Sequence, residues 1–211
     1  MTDKDILIEA ARSSVRLGLN SGTAGNFSLR QQGGLLITPT GILPDAMQTA
    51  QIVAIGLDGA WQGDWRPSSE WAIHAAIYVA RPDVGAVVHA HPDHCVALSC
   101  LRLPIPAFHY MVAALGGSQV PCAPYARFGS SALADAVVQT LGSGLHACLM
   151  ANHGMVATGP DMATALARAA RVEMLARHYL LARASGDPVL LTAAEMEDVA
   201  AGYTTYGQQK P

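Results

Sequence analysis

Apolar positions near the start of the chain recur at helical spacing: Ile6, Leu7, Ala10 and Leu17, with Ser14 on the same stripe, until Gly18 offers a stop. Thr2 followed three residues later by Asp5 has the form of a capping box, so a first helix is predicted. The pattern then shortens. Runs at 27–30 and 35–38 flank Gln31-Gln32-Gly33-Gly34 and read as a β-hairpin, and a further strand at 52–56 meets a second hairpin turn at Asp58-Gly59 before Trp61. Pro67-Ser68-Ser69-Glu70 resembles the start of a helix, because Trp71, His74, Ala75 and Tyr78 then share one face until Arg81-Pro82. That reading puts Glu70 in the first helical turn.

Residues 84–91 carry Ala86, Val87 and Val88 into His89-Ala90-His91 and predict a buried strand bounded by Pro82-Asp83 and Pro92-Asp93. Asp93 is placed to cap a helix through residue 101. A strand at 120–123 and a helix at 130–141 follow, then Cys148-Leu149-Met150 as a second buried strand that ends at Asn152-His153-Gly154. A long Ala- and Arg-rich helix fills 162–184, and a short one fills 192–203. Hairpins come early and helices are interspersed, with no repeat or linker. The expected fold is a single α/β domain over residues 1–211, with a largely antiparallel central sheet covered by helices.

Composition narrows the class. Only 14% of the 211 residues are charged, where about one quarter is usual, so part of the surface is expected to be hidden in an oligomer. A membrane protein would also be poor in charge, but Arg, Asp, His or Pro cuts each apolar run well before the roughly 18 residues a spanning helix needs. The first residues show no basic region followed by an apolar stretch, which points to the cytoplasm. Cys95, Cys100, Cys122 and Cys148 have no Cys-x-x-Cys spacing and read as small buried hydrophobes rather than ligands or disulfides. A net charge of −3 without a basic run argues against nucleic acid as a partner.

The candidate chemistry centres on histidine. Residues two apart on a strand point the same way, so His89 and His91 can converge on one metal ion, with His153 from the second strand end as third ligand and Glu70 nearby. The pair alone is weak, since eight histidines in a chain this long give such spacing by chance in roughly one chain in four. The plain alternative is two polar residues at a strand end. Three loops rich in small and hydroxyl residues, Thr23-Ala24-Gly25-Asn26, Thr40-Gly41 and Ser68-Ser69, offer N–H and hydroxyl donors to an anion such as phosphate, or else are simple turns and a helix cap. None matches a nucleotide-binding motif.

Taken together, the ordered runs Gly22-Thr23-Ala24-Gly25-Asn26, Ile37-Thr38-Pro39-Thr40-Gly41, Pro67-Ser68-Ser69-Glu70-Trp71, Val87-Val88-His89-Ala90-His91, Pro104-Ile105-Pro106-Ala107-Phe108-His109-Tyr110-Met111, Pro121-Cys122-Ala123-Pro124-Tyr125 and Asn152-His153-Gly154 resemble the class II aldolase/adducin family. The resemblance spans nearly the whole chain and implies a three-layer αβα fold. It implies Zn²⁺, one ion per subunit, held by His89, His91 and His153, with Co²⁺ or Mn²⁺ as possible substitutes. Glu70 is implied as general base and as a further ligand when substrate is absent, with a pKa raised by apolar neighbours and tempered by the ion.

By the same resemblance Tyr110, reaching in from a neighbouring subunit, serves the oxygen of the departing aldehyde as proton relay. Thr23, Asn26, Thr40, Gly41, Ser68 and Ser69 hold the phosphate of a small phosphorylated sugar, and Phe128 and Tyr206 border the aldehyde end. A homotetramer with active sites between subunits is implied, and the reaction is retro-aldol cleavage of a ketose 1-phosphate. Sibling reactions separate at two positions: 4-epimerases of the family carry aspartate at the position of Glu70, and its dehydratases carry glutamate at the position matched to Tyr110. A non-catalytic adducin-like module would have lost the three histidines.

Overall fold

A computed structural model describes residues 1–203. Along the chain run α1 (Asp3–Arg16), β1 (Asn26–Gln31), β2 (Gly34–Ile37), β3 (Val53–Gly56), α2 (Trp71–Ala80), β4 (Ala86–Ala90), α3 (Asp93–Cys100), β5 (Cys122–Ala123), α4 (Ser131–Leu141), β6 (Ala147–Met150), β7 (Gly154–Gly159), α5 (Met162–Ser185) and α6 (Ala193–Tyr203). Short 3₁₀ segments occupy Pro44–Ala46, Thr49–Gln51 and Tyr110–Leu115. The Thr2/Asp5 capping box forms as predicted: the Thr2 hydroxyl accepts from the Asp5 N–H while the Asp5 carboxylate accepts from the Thr2 N–H.

The strands form one seven-stranded sheet in the order β3-β2-β1-β4-β7-β6-β5, antiparallel throughout except for the β5–β6 pair. Apolar faces of α1, α3 and α5 pack with Ala86, Val88 and Ala90 on one side, and those of α2 and α4 pack with Val87, Cys148 and Val156 on the other. This is the expected helix–sheet–helix sandwich, in a single domain. Because side chains alternate along a strand, His89 shares the side of Val87, which is the side α2 covers. The β1–β4 register sets Asn26 directly opposite His89.

Several local expectations are corrected. The β6 strand stops at Met150, and Gly154 opens an unforeseen strand, β7, that lies between β4 and β6. Gly154 was read as a stop, but it is a close approach: a Cβ there would lie 2.5 Å from the Ala90 carbonyl oxygen and 2.8 Å from the His91 ring. Asn26 belongs to β1 rather than to the preceding loop. The 120–123 strand shrinks to Cys122–Ala123, and the Asp58-Gly59 turn closes on a lone bridge between Ile55 and Trp61.

Asp93 does not cap α3, whose N-cap is Pro92; instead the Glu173 carboxylate, from α5, accepts from the N–H groups of His94 (3.1 Å) and Cys95 (3.0 Å). All four cysteines are free, but only Cys95 and Cys148 are buried and Cys100 is exposed. Among the described residues, no helix is long and apolar enough to cross a membrane.

Candidate metal centre

Three chain reversals meet at one end of β4. His89 is fully buried near that end, and His91 follows it, held by a backbone N–H that donates to Asn20 Oδ1 at 3.0 Å. His153 sits in the tight turn between β6 and β7, where its N–H donates to Ser99 Oγ and the Asn152 N–H donates to the Ser99 carbonyl at 2.9 Å. Glu70 is the N-cap of α2 rather than a residue of its first turn. Its side chain makes no cap hydrogen bond and turns instead toward the histidines. Ser68 takes over locally, its carbonyl accepting from the Trp71 N–H and its hydroxyl from the Glu70 N–H.

The four side chains converge tightly. Glu70 Oε2 lies 2.9 Å from His89 Nε2, Glu70 Oε1 lies 3.3 Å from His153 Nε2, and the Nε2 atoms of His89 and His91 are 2.8 Å apart. One ligating atom from each of Glu70, His89, His91 and His153 falls within 4.8 Å of all the others. The His89 tautomer follows from its partner: Nδ1 is 2.9 Å from the Met155 carbonyl oxygen, which only accepts, so Nδ1 carries the hydrogen and Nε2 presents a lone pair. A carbonyl that fixes one ring nitrogen while the other faces the cluster is the usual support of a metal-bound imidazole.

Charge at the site departs from the sequence expectation. Burial does push the Glu70 carboxyl upward, but in acid, where protonated imidazoles surround it, a hydrogen bond from His89 and the imidazole charges outweigh burial and hold its pKa low, at about 2. Burial lowers His91 to about 4, helped by the neighbouring imidazoles, and lowers His153 as well. Neutral imidazoles beside an ionised carboxylate are the forms a divalent ion needs. Glu70 Oε1 is the one buried side-chain polar atom among the described residues without a hydrogen bond, and a cation would satisfy it. On both counts the residues fit a metal ion.

The cluster floors a cleft of about 430 Å³ lined by Glu70, His91, Tyr125, Ala126, Phe128, Asn152 and His153. Phe128 stands at its mouth, 62% exposed. Larger hollows exist, one of about 550 Å³ between Ala107, Gly116, Leu191 and Met196, but that one holds no cluster of ligating groups, so the chemistry selects the smaller cleft.

The loops expected to bind an anion are partly assembled. A Pro39–Pro67 bridge and the bonds Ser68 N–H to Thr38 carbonyl (3.1 Å) and Thr40 N–H to Arg66 carbonyl (3.2 Å) tie two of them side by side. Thr23, Thr40, Gly41 and Ser69 are exposed, whereas Ser68 and Asn26 are buried. Tyr110 is not brought to the cleft of its own chain. It is 51% exposed, stacks on His109 and borders a separate hollow with Met111, Arg171 and Asp198. Tyr206 lies outside the described residues.

Sequence reasoning missed Asn20, Ser99 and the buried residues His74, Ser28 and Tyr78 behind Glu70. The available signal was a histidine on the apolar face of α2, where an imidazole needs partners.

Comparison with known proteins converges on one family. The description "Class II Aldolase and Adducin N-terminal domain" matches residues 5–180. The chain is 47% identical over 201 residues to the 5-methylthioribulose-1-phosphate/5-deoxyribulose-1-phosphate aldolase of Rhodospirillum rubrum, covering 95% of this chain and 90% of that one. It is 46% identical over 202 residues to the L-fuculose phosphate aldolase of Escherichia coli strain K12, covering 95% and 94%. A solved L-fuculose 1-phosphate aldolase structure superposes with a TM-score of 0.91 at 36% identity, with 96% of each chain covered.

Proposed function

Because the chain belongs to the Class II Aldolase and Adducin N-terminal domain family and is an aldehyde-lyase of that class, we propose that it reversibly cleaves a ketose 1-phosphate of the L-fuculose 1-phosphate type into dihydroxyacetone phosphate and an aldehyde such as lactaldehyde. The observation that carries this reading is the Glu70, His89, His91 and His153 cluster at the floor of an open cleft.

The ion is Zn²⁺, held by His89, His91 and His153 with Glu70 beside it; when bound, it supplies Lewis-acid stabilisation of the charge that develops on the carbonyl side of the cleaved bond. Asn26, Thr23, Thr40, Gly41, Ser68 and Ser69 hold the phosphate and so fix which carbon faces Glu70. Glu70, ionised and within reach of the cleft, takes and returns the proton at the carbon released from the aldehyde. Tyr110, contributed by a neighbouring subunit, relays away the hydroxyl proton that the substrate gives up as that oxygen becomes the aldehyde carbonyl, and in the condensation direction returns it to the new alkoxide. Its remoteness from the cleft of its own chain, and a surface with Leu43, Val79, Leu101 and Val189 exposed, support a homotetramer with active sites between subunits. Four free cysteines fit the reducing cytoplasm.

A second reading concerns only the aldehyde. The Rhodospirillum rubrum relative acts by its name on 5-methylthioribulose and 5-deoxyribulose 1-phosphates, and a cleft edged by Phe128 and Tyr125 suits a methyl or methylthio tail. The test is incubation of zinc-loaded protein with a panel of ketose 1-phosphates while dihydroxyacetone phosphate release is followed. Release from the fuculose compound above the 5-deoxy and methylthio compounds is the expected result. The reverse order selects the second reading, and a 4-epimer or dehydrated diketone without dihydroxyacetone phosphate overturns both.

A further inference from the structure

Beside Glu70 runs a line of buried polar groups of which the chemistry above uses only Asn26. Asn26 Nδ2 is 3.4 Å from Glu70 Oε2, Asn26 Oδ1 is 2.5 Å from His74 Nε2, His74 Nδ1 is 2.6 Å from Ser28 Oγ, and Ser28 Oγ is 2.8 Å from Tyr78 Oη. All five side chains are buried, His74 and Ser28 completely. Strand β1 supplies Asn26 and Ser28, which point to the same side, and α2 supplies His74 and Tyr78 one turn apart.

Elementary donor and acceptor rules fix the direction of every bond. An ionised carboxylate only accepts, so the Asn26 amide nitrogen faces Glu70 and its oxygen faces His74. His74 Nε2 must then carry the hydrogen, leaving Nδ1 as the acceptor for the Ser28 hydroxyl, whose oxygen in turn accepts from Tyr78. Four donors in series point toward Glu70. Burial holds His74 neutral, as this assignment requires. Without the His74 donor the Asn26 oxygen loses its partner, and the amide is held toward Glu70 only through its long 3.4 Å contact with the carboxylate, so that contact and the position of Glu70 loosen.

We propose that His74 is a positioning residue for Glu70: through its Nε2–H it locks the Asn26 amide with the nitrogen toward the carboxylate that transfers the proton. The proposal rests on the reading of Glu70 as the proton-transfer group. It also assigns Asn26 two tasks, since one amide hydrogen is committed to Glu70 and the second is left for the phosphate.

The test compares two substitutions that differ in which ring nitrogen they imitate. His74→Gln can place a donor where Nε2 stands, whereas His74→Asn imitates only Nδ1 and cannot reach Asn26. On zinc-loaded protein, His74→Asn is expected to slow proton exchange on dihydroxyacetone phosphate and kcat for cleavage by about ten- to a hundredfold, with KM and zinc content little changed. His74→Gln should restore most of the rate. Nitrogen-15 NMR of the metal-free wild type should show His74 as the Nε2–H tautomer.

A Nδ1–H tautomer, wild-type exchange in His74→Asn, or equal losses in both variants would overturn the proposal. Should His74→Asn not fold, Ser28→Ala frees the tautomer instead and is expected to slow exchange several-fold; unchanged exchange there overturns it equally. Glu70→Gln measured alongside separates the two levels. Wild-type exchange in that variant removes the role of Glu70 itself, whereas slow exchange there with normal His74→Asn rejects His74 alone. In a Glu70→Gln background, His74→Asn should add no further loss.

Discussion

Arg102 and Asn152, the two non-glycine residues held at positive φ among the described residues, are bonded to one another: Arg102 Nε donates to Asn152 Oδ1 at 3.0 Å. Both backbones also return to Ser99, whose carbonyl accepts from the N–H of each. The Ser99 hydroxyl accepts from the next residue, His153. A fully buried serine thus clamps two left-handed turns and fixes the start of His153, a member of the Glu70 and histidine cluster.

The clamp predicts how Asn152 tolerates change. Asn152→Val places a β-branched residue at φ +54° and should cost roughly 1–2 kcal/mol in urea unfolding, while weakening zinc binding by displacing His153. Asn152→Gly, free of that strain, should lose less. Equal stability of the valine variant and wild type would contradict the strained turn.

Removing a ligand should be far more damaging than removing a support. Zinc affinity in His91→Ala is expected to fall by more than about a hundredfold, beyond the range usual for supporting residues. Chelator-stripped wild type should be inactive until zinc is returned. Elemental analysis that finds full occupancy in His91→Ala would exclude it as a ligand.

Glu70→Gln preserves shape and removes the proposed base. Proton exchange on dihydroxyacetone phosphate should slow by at least about a hundredfold while the fold persists by circular dichroism. The exchange assay isolates the proton step from aldehyde release.

Acid should destabilise the metal-free protein. His74, at about 3, and His91 and His146, each at about 4, titrate in the folded chain below the ordinary 6.5, all chiefly through burial. Between pH 6.5 and those values the unfolded chain binds protons that the folded chain refuses, so stability falls as pH drops through that window. Glu70 has the same sign lower down: its folded pKa, about 2, is below the ordinary 4.5, so its contribution is present above 4.5 and lost toward 2. Urea midpoints measured from pH 7 to pH 5 should decline; a rise on acidification would reverse the assignment.

Sharing of the active site between subunits can be read by complementation. Co-expressed Glu70→Gln and Tyr110→Phe chains, each impaired alone, should regain cleavage toward about a quarter of the wild-type rate in random mixed oligomers. No recovery would place Tyr110 in the same chain's site or outside the chemistry.

The sequence by itself determined the fold class and singled out Glu70, His89, His91 and His153, whose ligating atoms the fold brings within 4.8 Å of one another, because the cues for both lie in local order. Period-two alternation puts His89 and His91 on one side of a strand, helical spacing defines α2 and α5, and conspicuous motifs mark Glu70 and His153. It misassigned Gly154, since a glycine that ends a strand and one that admits a neighbouring backbone look alike until the Ala90 carbonyl is seen against it. It placed Glu70 one step inside the helix, because only the competing pull of the imidazoles turns that side chain away from capping.

What the tertiary structure alone decided are relations across 40 or more residues. Asn26 faces Glu70 and His74, Ser99 holds the turn before His153, and Glu173 caps α3 from another helix. The low pKa of Glu70 belongs to this class as well. Hydrogen bonds and charges act over a few ångströms whatever the separation along the chain, so their partners become definite only when the β1–β4 and β6–β7 registers bring them together.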